Sequence, residues 1–110
     1  MHYGHNNMET KINYFIGQKC VIRCDRSGVF YGTVQAVDGQ TVTATDCRHV
    51  WKFTDCYNTI DLAINGPGKG SKITKPLAEI TFLDAIELLS VSDMAQTNFD
   101  AVPEWSYARS

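Results

Sequence analysis

The residues best suited to chemistry sit in one run, Arg48-His49-Val50-Trp51-Lys52-Phe53. On an extended strand Arg48, Val50 and Lys52 point one way, and His49, Trp51 and Phe53 the other. Arg and Lys offer positive charge to phosphates, and Arg adds a planar fork. Trp and His offer flat faces on which a base can stack. A single ligand can meet both sets only where the strand lies at an edge or between subunits. The competing arrangement puts Trp51 and Phe53 in the core and leaves Arg48 and Lys52 solvated. A second candidate is the loop Gly66-Pro67-Gly68-Lys69-Gly70-Ser71-Lys72. Its glycines expose backbone N–H groups, and Lys69, Lys72 and Lys75 add charge, a combination able to hold an anion. Its spacing is not that of a Walker loop, and it follows a helical pattern rather than a strand. An exposed flexible loop with solvated lysines is the plainer reading. The candidate ligand set is therefore Arg48, His49, Trp51, Lys69 and Lys72, facing an anionic nucleotide-like small molecule.

The four cysteines are Cys20, Cys24, Cys47 and Cys56. Structural zinc sites use tight pairs in each half, and only Cys20 and Cys24 form one here. Cys20, Ile22 and Cys24 also alternate on one strand face, where free Cys packs as a small apolar group. No metal and no cofactor is expected. Met1 to Asn7 is polar and unlike a secretory signal, so free thiols in a cytoplasm are expected. Cys47 and His49 lie two apart and could form a thiolate–imidazole pair, but no nucleophile signature surrounds them. No catalytic residue is assigned, and the expectation is a protein that is not an enzyme.

A chain of 110 residues is the size of one domain. With 44% hydrophobic and 20% charged residues it reads as globular. The formal charge of −2 gives no bulk field for nucleic acid, so such binding is the less favoured reading. No stretch approaches the ~20 apolar residues of a membrane span.

These residues must be positioned by strands. Residues 19–25, 29–37, 41–45 and 48–53 read as a four-strand meander, with Asp38-Gly39 as its strongest hairpin turn and Asp46-Cys47 as a short break. Val42 and Ala44 are expected to point inward. Asn58 caps a helix over residues 59–65, which Gly66 and Pro67 end. Residues 77–82 and 85–91 read as a hairpin about Leu83-Asp84, and Ser92 or Asp93 caps a final short helix through Phe99. The expected fold is mainly β (α+β), a small bent antiparallel sheet or barrel of SH3 or Sm type with two short helices. Residues 1–13 form a polar arm, 14–100 one β-rich domain, and 101–110 a tail that packs back or onto a partner. Tyr3, Tyr14, Phe15, Tyr31, Tyr57, Trp105 and Tyr107 exceed what one small core can bury, which favours a homo-oligomer.

Tyr31-Gly32-Thr33-Val34-Gln35-Ala36-Val37-Asp38 is similar to the Sm pattern of strand, glycine bend and strand running into Asp. A longer resemblance covers Lys19 to Trp105. It is carried by Gly28-Val29-Phe30-Tyr31-Gly32, Arg48-His49-Val50-Trp51-Lys52-Phe53, Leu62-Ala63 with Gly66, Glu79-Ile80, Ala85-Ile86-Glu87 and Val102-Pro103-Glu104-Trp105. Over these residues the chain resembles a family of small tailed-phage proteins known only as a domain of unknown function. That family commonly has a second aromatic where Lys52 stands, and often Pro at Ser90 or Val91. The resemblance implies a bacteriophage gene acting in a bacterial host cytoplasm, and no activity. The expected function is an oligomeric ligand-binding protein that sequesters a nucleotide signal of host anti-phage defence. The alternatives are an Sm- or SH3-like nucleic-acid module, or a structural or host-protein-binding protein.

Overall fold

A computed structural model describes residues 14–54 and 58–105. The N-terminal arm with Tyr3, the thiol of Cys56, Tyr57, and the end of the tail with Tyr107 lie outside the described residues. The order of elements is β1 (Lys19–Cys24), β2 (Val29–Asp38), β3 (Thr41–Lys52), α1 (Thr59–Asn65), β4 (Lys72–Ile73), β5 (Leu77–Phe82), β6 (Ala85–Ser90) and α2 (Asp93–Ala101). Among the described residues the chain is mainly β, one antiparallel sheet with two short helices.

The two central ladders follow from local turns. β1 pairs with β2 in the register Val21↔Tyr31, and β2 pairs with β3 through Val37↔Val42. At the Asp38-Gly39 turn Gly39 takes φ 60°, which suits a residue without Cβ. The two expected strands about Asp46 are one. β3 runs unbroken through that position, and the expected break is a bulge where Asp46 adopts φ 48°. Asp tolerates this left-handed conformation better than most residues. The register shifts there between Tyr31↔Arg48 and Thr33↔Thr45. Gly32 sits opposite the bulge, where a Cβ would come within 3.0 Å of Cys47.

The expected β5–β6 hairpin does not form. β5 pairs with β3 in the register Ala44↔Ile80, and β6 pairs with β1 in the register Val21↔Leu89. The two strands, joined only by Leu83-Asp84, thus go to opposite edges, and the sheet bends without closing into a barrel. Phe82 of β5 and Ala85 of β6 meet across the hollow in a core of Cys20, Ile22, Cys24, Phe30, Val34, Val42, Ala44 and Cys47. Val42 and Ala44 point inward as expected. Asp84 fastens the bend at the β1–β2 turn, accepting bonds from the Arg26 and Ser27 N–H groups at 2.7 and 3.3 Å.

The other face of the sheet is covered by the helices. Val21, Tyr31 and Val50 pack there against Leu62, Ala63, Ile73 and Phe99. Burying a large apolar side chain of this kind contributes about 1.5–3 kcal/mol. α1 starts where Asn58 Oδ1 accepts from the Asp61 N–H at 2.9 Å. Ser92 accepts from the Ala95 N–H at 3.0 Å to cap α2, and donates to the Ile64 carbonyl at 2.5 Å, tying the helices together. The loop after α1 is less open than expected. Gly66 and Pro67 are buried, and Thr54 holds Ser71 through its N–H at 3.0 Å. Ser71 leads directly into β4, a short strand that pairs with the end of β3.

Candidate functional site

Arg48 points into the helix-covered face and is 7% exposed. Its Nε donates to the Thr74 carbonyl at 2.7 Å and Nη1 to the Phe99 carbonyl at 2.9 Å. Nη2 donates to the carbonyls of Val102 at 3.1 Å and Ile73 at 3.4 Å. The fork thus joins the turn after β4 to the last turn of α2, where a cation offsets the carbonyl end of the helix. Burial pulls the guanidinium below its ordinary pKa, and Glu104 and Asp100 oppose that pull. Arg48 is therefore shielded from solvent, with four hydrogen bonds to backbone carbonyls.

His49 faces the other core. Its ring stacks on Phe30 with centroids 4.7 Å apart. Its backbone N–H donates to Thr74 Oγ1 at 2.9 Å. Burial pushes the imidazole below its usual pKa. Neighbouring Cys47 is buried, and desolvation pushes its thiol up to about 12, so it is protonated at neutral pH and is no thiolate nucleophile.

Trp51 is 50% exposed, the reverse of a core residue. Its indole stacks on Trp105, with centroids 4.9 Å apart and planes 11° from parallel. Lys72 holds its ammonium 5.2 Å from both ring centroids. Three long-range placements create this group. Trp51 lies at the end of β3. Lys72 lies opposite Lys52 in the β3–β4 ladder. Trp105 arrives because the chain after α2 turns back along β4, with Ile73 and Glu104 bridged in parallel and the Trp105 N–H on the Ile73 carbonyl at 2.9 Å.

Lys69 is exposed in the glycine-rich loop. It borders a groove of about 390 Å³ between that loop and the segment from Asn98 to Pro103. The Thr54 hydroxyl fixes the loop by donating to the Lys69 carbonyl at 2.5 Å.

Of the five residues singled out by type, the fold brings Trp51 and Lys72 together. It sets Lys69 on the adjoining loop and removes Arg48 and His49 to separate interiors. Sequence reasoning missed Trp105 as the partner of Trp51; its only local signal was an aromatic in a polar tail. The assembled group is a flat apolar face beside an ammonium, a combination suited to stacking and charge recognition. No curated protein and no solved structure matches the chain. A family model described as a domain of unknown function, DUF6948, matches residues 17–99, ending just before the Val102-Pro103-Glu104-Trp105 segment. Over three quarters of its length, then, the sequence fits this one model, and the chain belongs to the DUF6948 family.

Proposed function

We propose that the chain is a non-enzymatic binding protein that takes an anionic nucleotide-like ligand on the Trp51–Trp105–Lys72 surface. One observation carries the reading: a half-exposed indole lies in parallel register on a second indole, with an ammonium equidistant from both. A base can extend such a stack, worth about 1–3 kcal/mol per base. Lys72 supplies charge to a phosphate, and Lys69 on the adjoining loop supplies a second contact. Arg48 and His49 have no part in this version of the site.

In the fuller reading the protein is a phage product in a bacterial host cytoplasm that sequesters a nucleotide signal of host defence. That step rests on the resemblance to phage proteins. Assembly as a homo-oligomer belongs to the same proposal and is supported by exposed Ile60, Ile64, Leu83 and Met94.

The chain has two tryptophans, and both lie in this surface, so its tryptophan emission reports on the site alone. Titration with mono-, di- and cyclic nucleotides is expected to quench that emission and release heat in calorimetry. Trp51→Ala and Lys72→Ala should each weaken binding by about tenfold or more. A single-stranded oligonucleotide that binds instead, with affinity falling steeply as salt rises, would support the nucleic-acid reading. No quenching and no heat with any of these at millimolar concentration refutes both.

A further inference from the structure

The β3–β4 ladder sets two like charges against each other. Lys52 and Lys72 are directly opposed, just past the register shift that follows Val50↔Ile73. We infer that the ligand of the indole surface carries a chain of two or more phosphates, as a nucleoside di- or triphosphate does, and that Lys52 is a further binding residue for that chain. The inference rests on the stacking reading proposed above and names the ligand class for the same surface.

The first observation is the opposed pair itself. Residues directly opposite in an antiparallel ladder stand about 4.5–5.5 Å apart between Cβ atoms, and like charges there are destabilising. Among the described residues the ion pair is Arg23–Glu87, and neither of these two ammoniums has a carboxylate partner. Glu104, beside Trp105, does not offset them, because it lines a separate cleft with Arg48 and Asp100. A pairing that costs stability and gains no partner within the chain is the kind of local conflict that functional sites retain.

The second observation is where Lys72 stands relative to the rings. Its ammonium is 5.2 Å from each centroid of a stack whose rings are 4.9 Å apart. It therefore lies beside the stack rather than on an outer ring face. Trp51 is half-exposed and keeps room for a base. A base stacked there sends its ribose and phosphates to the flank of the rings, where Lys72 stands with Lys52 opposite it in the ladder.

The third observation is how far the charge extends. Lys69 lies three residues before Lys72, at the rim of the 390 Å³ groove, and Lys75 three residues after it; both are exposed. Four of the chain's 10 Lys and Arg residues thus fall between positions 52 and 75, in a chain whose net charge is −2. One phosphate can bridge the opposed pair. Further ammoniums beyond it match a chain of phosphates, each able to take a charge-assisted hydrogen bond.

The test is titration of the full chain with adenosine, AMP, ADP and ATP in buffer free of divalent cations, followed by calorimetry and tryptophan emission. One base throughout holds the stacking constant and varies the phosphates. Affinity should rise along the series, with ATP at least about tenfold tighter than AMP. Lys52→Gln should weaken ATP by about three- to tenfold and leave adenosine within about twofold. The thermal midpoint of that variant without ligand should not fall, because the substitution removes a like-charge pair. Lys19→Gln removes one charge from β1 and should leave ATP within about twofold. Equal affinity for AMP and ATP overturns the inference and leaves the stacking reading standing. So does a Lys52→Gln protein that binds ATP as the parent does, or a Lys19→Gln protein that loses as much, since the charge would then act as a diffuse field. A clear fall in the midpoint of Lys52→Gln would make Lys52 a structural residue and overturn its assignment. No heat and no quenching with any of the four at millimolar concentration overturns the stacking reading, and this inference with it.

Discussion

Arg48→Met tests whether the buried guanidinium is a strut of the fold. Methionine keeps much of the volume and removes every donor. The structure gives Arg48 three bonds between 2.7 and 3.1 Å and one longer bond at 3.4 Å. Hydrogen bonds to charged groups contribute about 1.5–3 kcal/mol each before the cost of dehydrating the cation. Two of the carbonyls keep a second donor. Phe99 O also accepts the Val102 N–H at 3.2 Å, and Ile73 O also accepts the Trp105 N–H at 2.9 Å. Thr74 O and Val102 O are left to find water. With the dehydration cost of the guanidinium recovered, the net loss should be about 3 kcal/mol. For a domain of this size that lowers the thermal midpoint by about 10–20 °C. Urea unfolding followed by circular dichroism measures it directly. Arg48→Lys should recover less than half, since one ammonium cannot span four carbonyls on two elements. A loss below about 1 kcal/mol for Arg48→Met would place Arg48 among surface residues and refute the strut.

Gly66 holds φ 79° and ψ 175° at the end of α1, and a Cβ there would lie 2.7 Å from Asn98 Cβ. Gly66→Ala should therefore destabilise by about 2–4 kcal/mol in the same unfolding assay, combining a backbone penalty with overpacking. Acidification should lower stability in two steps. Burial depresses the folded-state pKa of His49, so its contribution is present above about pH 6.5, its unfolded value, and is lost as pH falls below that. The Arg26 N–H lowers the Asp84 carboxyl, so its contribution holds above about pH 3.9 and is lost on further descent through the folded pKa. Thermal midpoints measured from pH 8 to 3 should lose the upper step in His49→Gln and the lower step in Asp84→Asn.

Local signals carried the fold where local physics decides it. The cap Asn58, the periodicity of Leu62 and Ala63, and the stop at Gly66 and Pro67 place α1 at residues 59–65, as the structure has it. The alternation in β1 and β2 likewise marks them as strands, but the sequence reading allowed one small core, whereas their two faces feed two. Pairing between distant strands was not legible. A two-residue link about Leu83-Asp84 suits a hairpin, and only the long-range register sends β5 to β3 and β6 to β1. β4 is two residues long, too short to show any period. At the candidate surface, the types of Trp51 and Lys72 were informative in themselves. Trp105 joins them through chain reversal after α2, which no spacing rule encodes.

Arg48 was misplaced for a more specific reason, and that reason yields the last prediction. In β3, Val42 and Ala44 face the core within the bend. Strict alternation would send Asp46, Arg48 and Val50 to that face. The bulge at Asp46 inserts one residue, so Cys47 takes the next inward place and His49 follows, stacked on Phe30. Arg48 and Val50 are thereby turned to the helix-covered face. Trp51 sits in a second register shift, between Val50↔Ile73 and Lys52↔Lys72 at the end of β3, and is exposed there. One left-handed residue thus sets the phase that turns Arg48 to the helices, upstream of the shift that holds Trp51. Asp46→Gly keeps φ 48° accessible and should change stability by less than about 1 kcal/mol. Asp46→Val resists that conformation and should cost about 1–3 kcal/mol. If the bulge sets the phase, Asp46→Val should also perturb the stacked-indole signature in circular dichroism, whereas Asp46→Gly should retain it. Equal stability and equal spectra for the two variants would show that the phase of β3 is imposed by the helices packed on Val50, and not by the bulge.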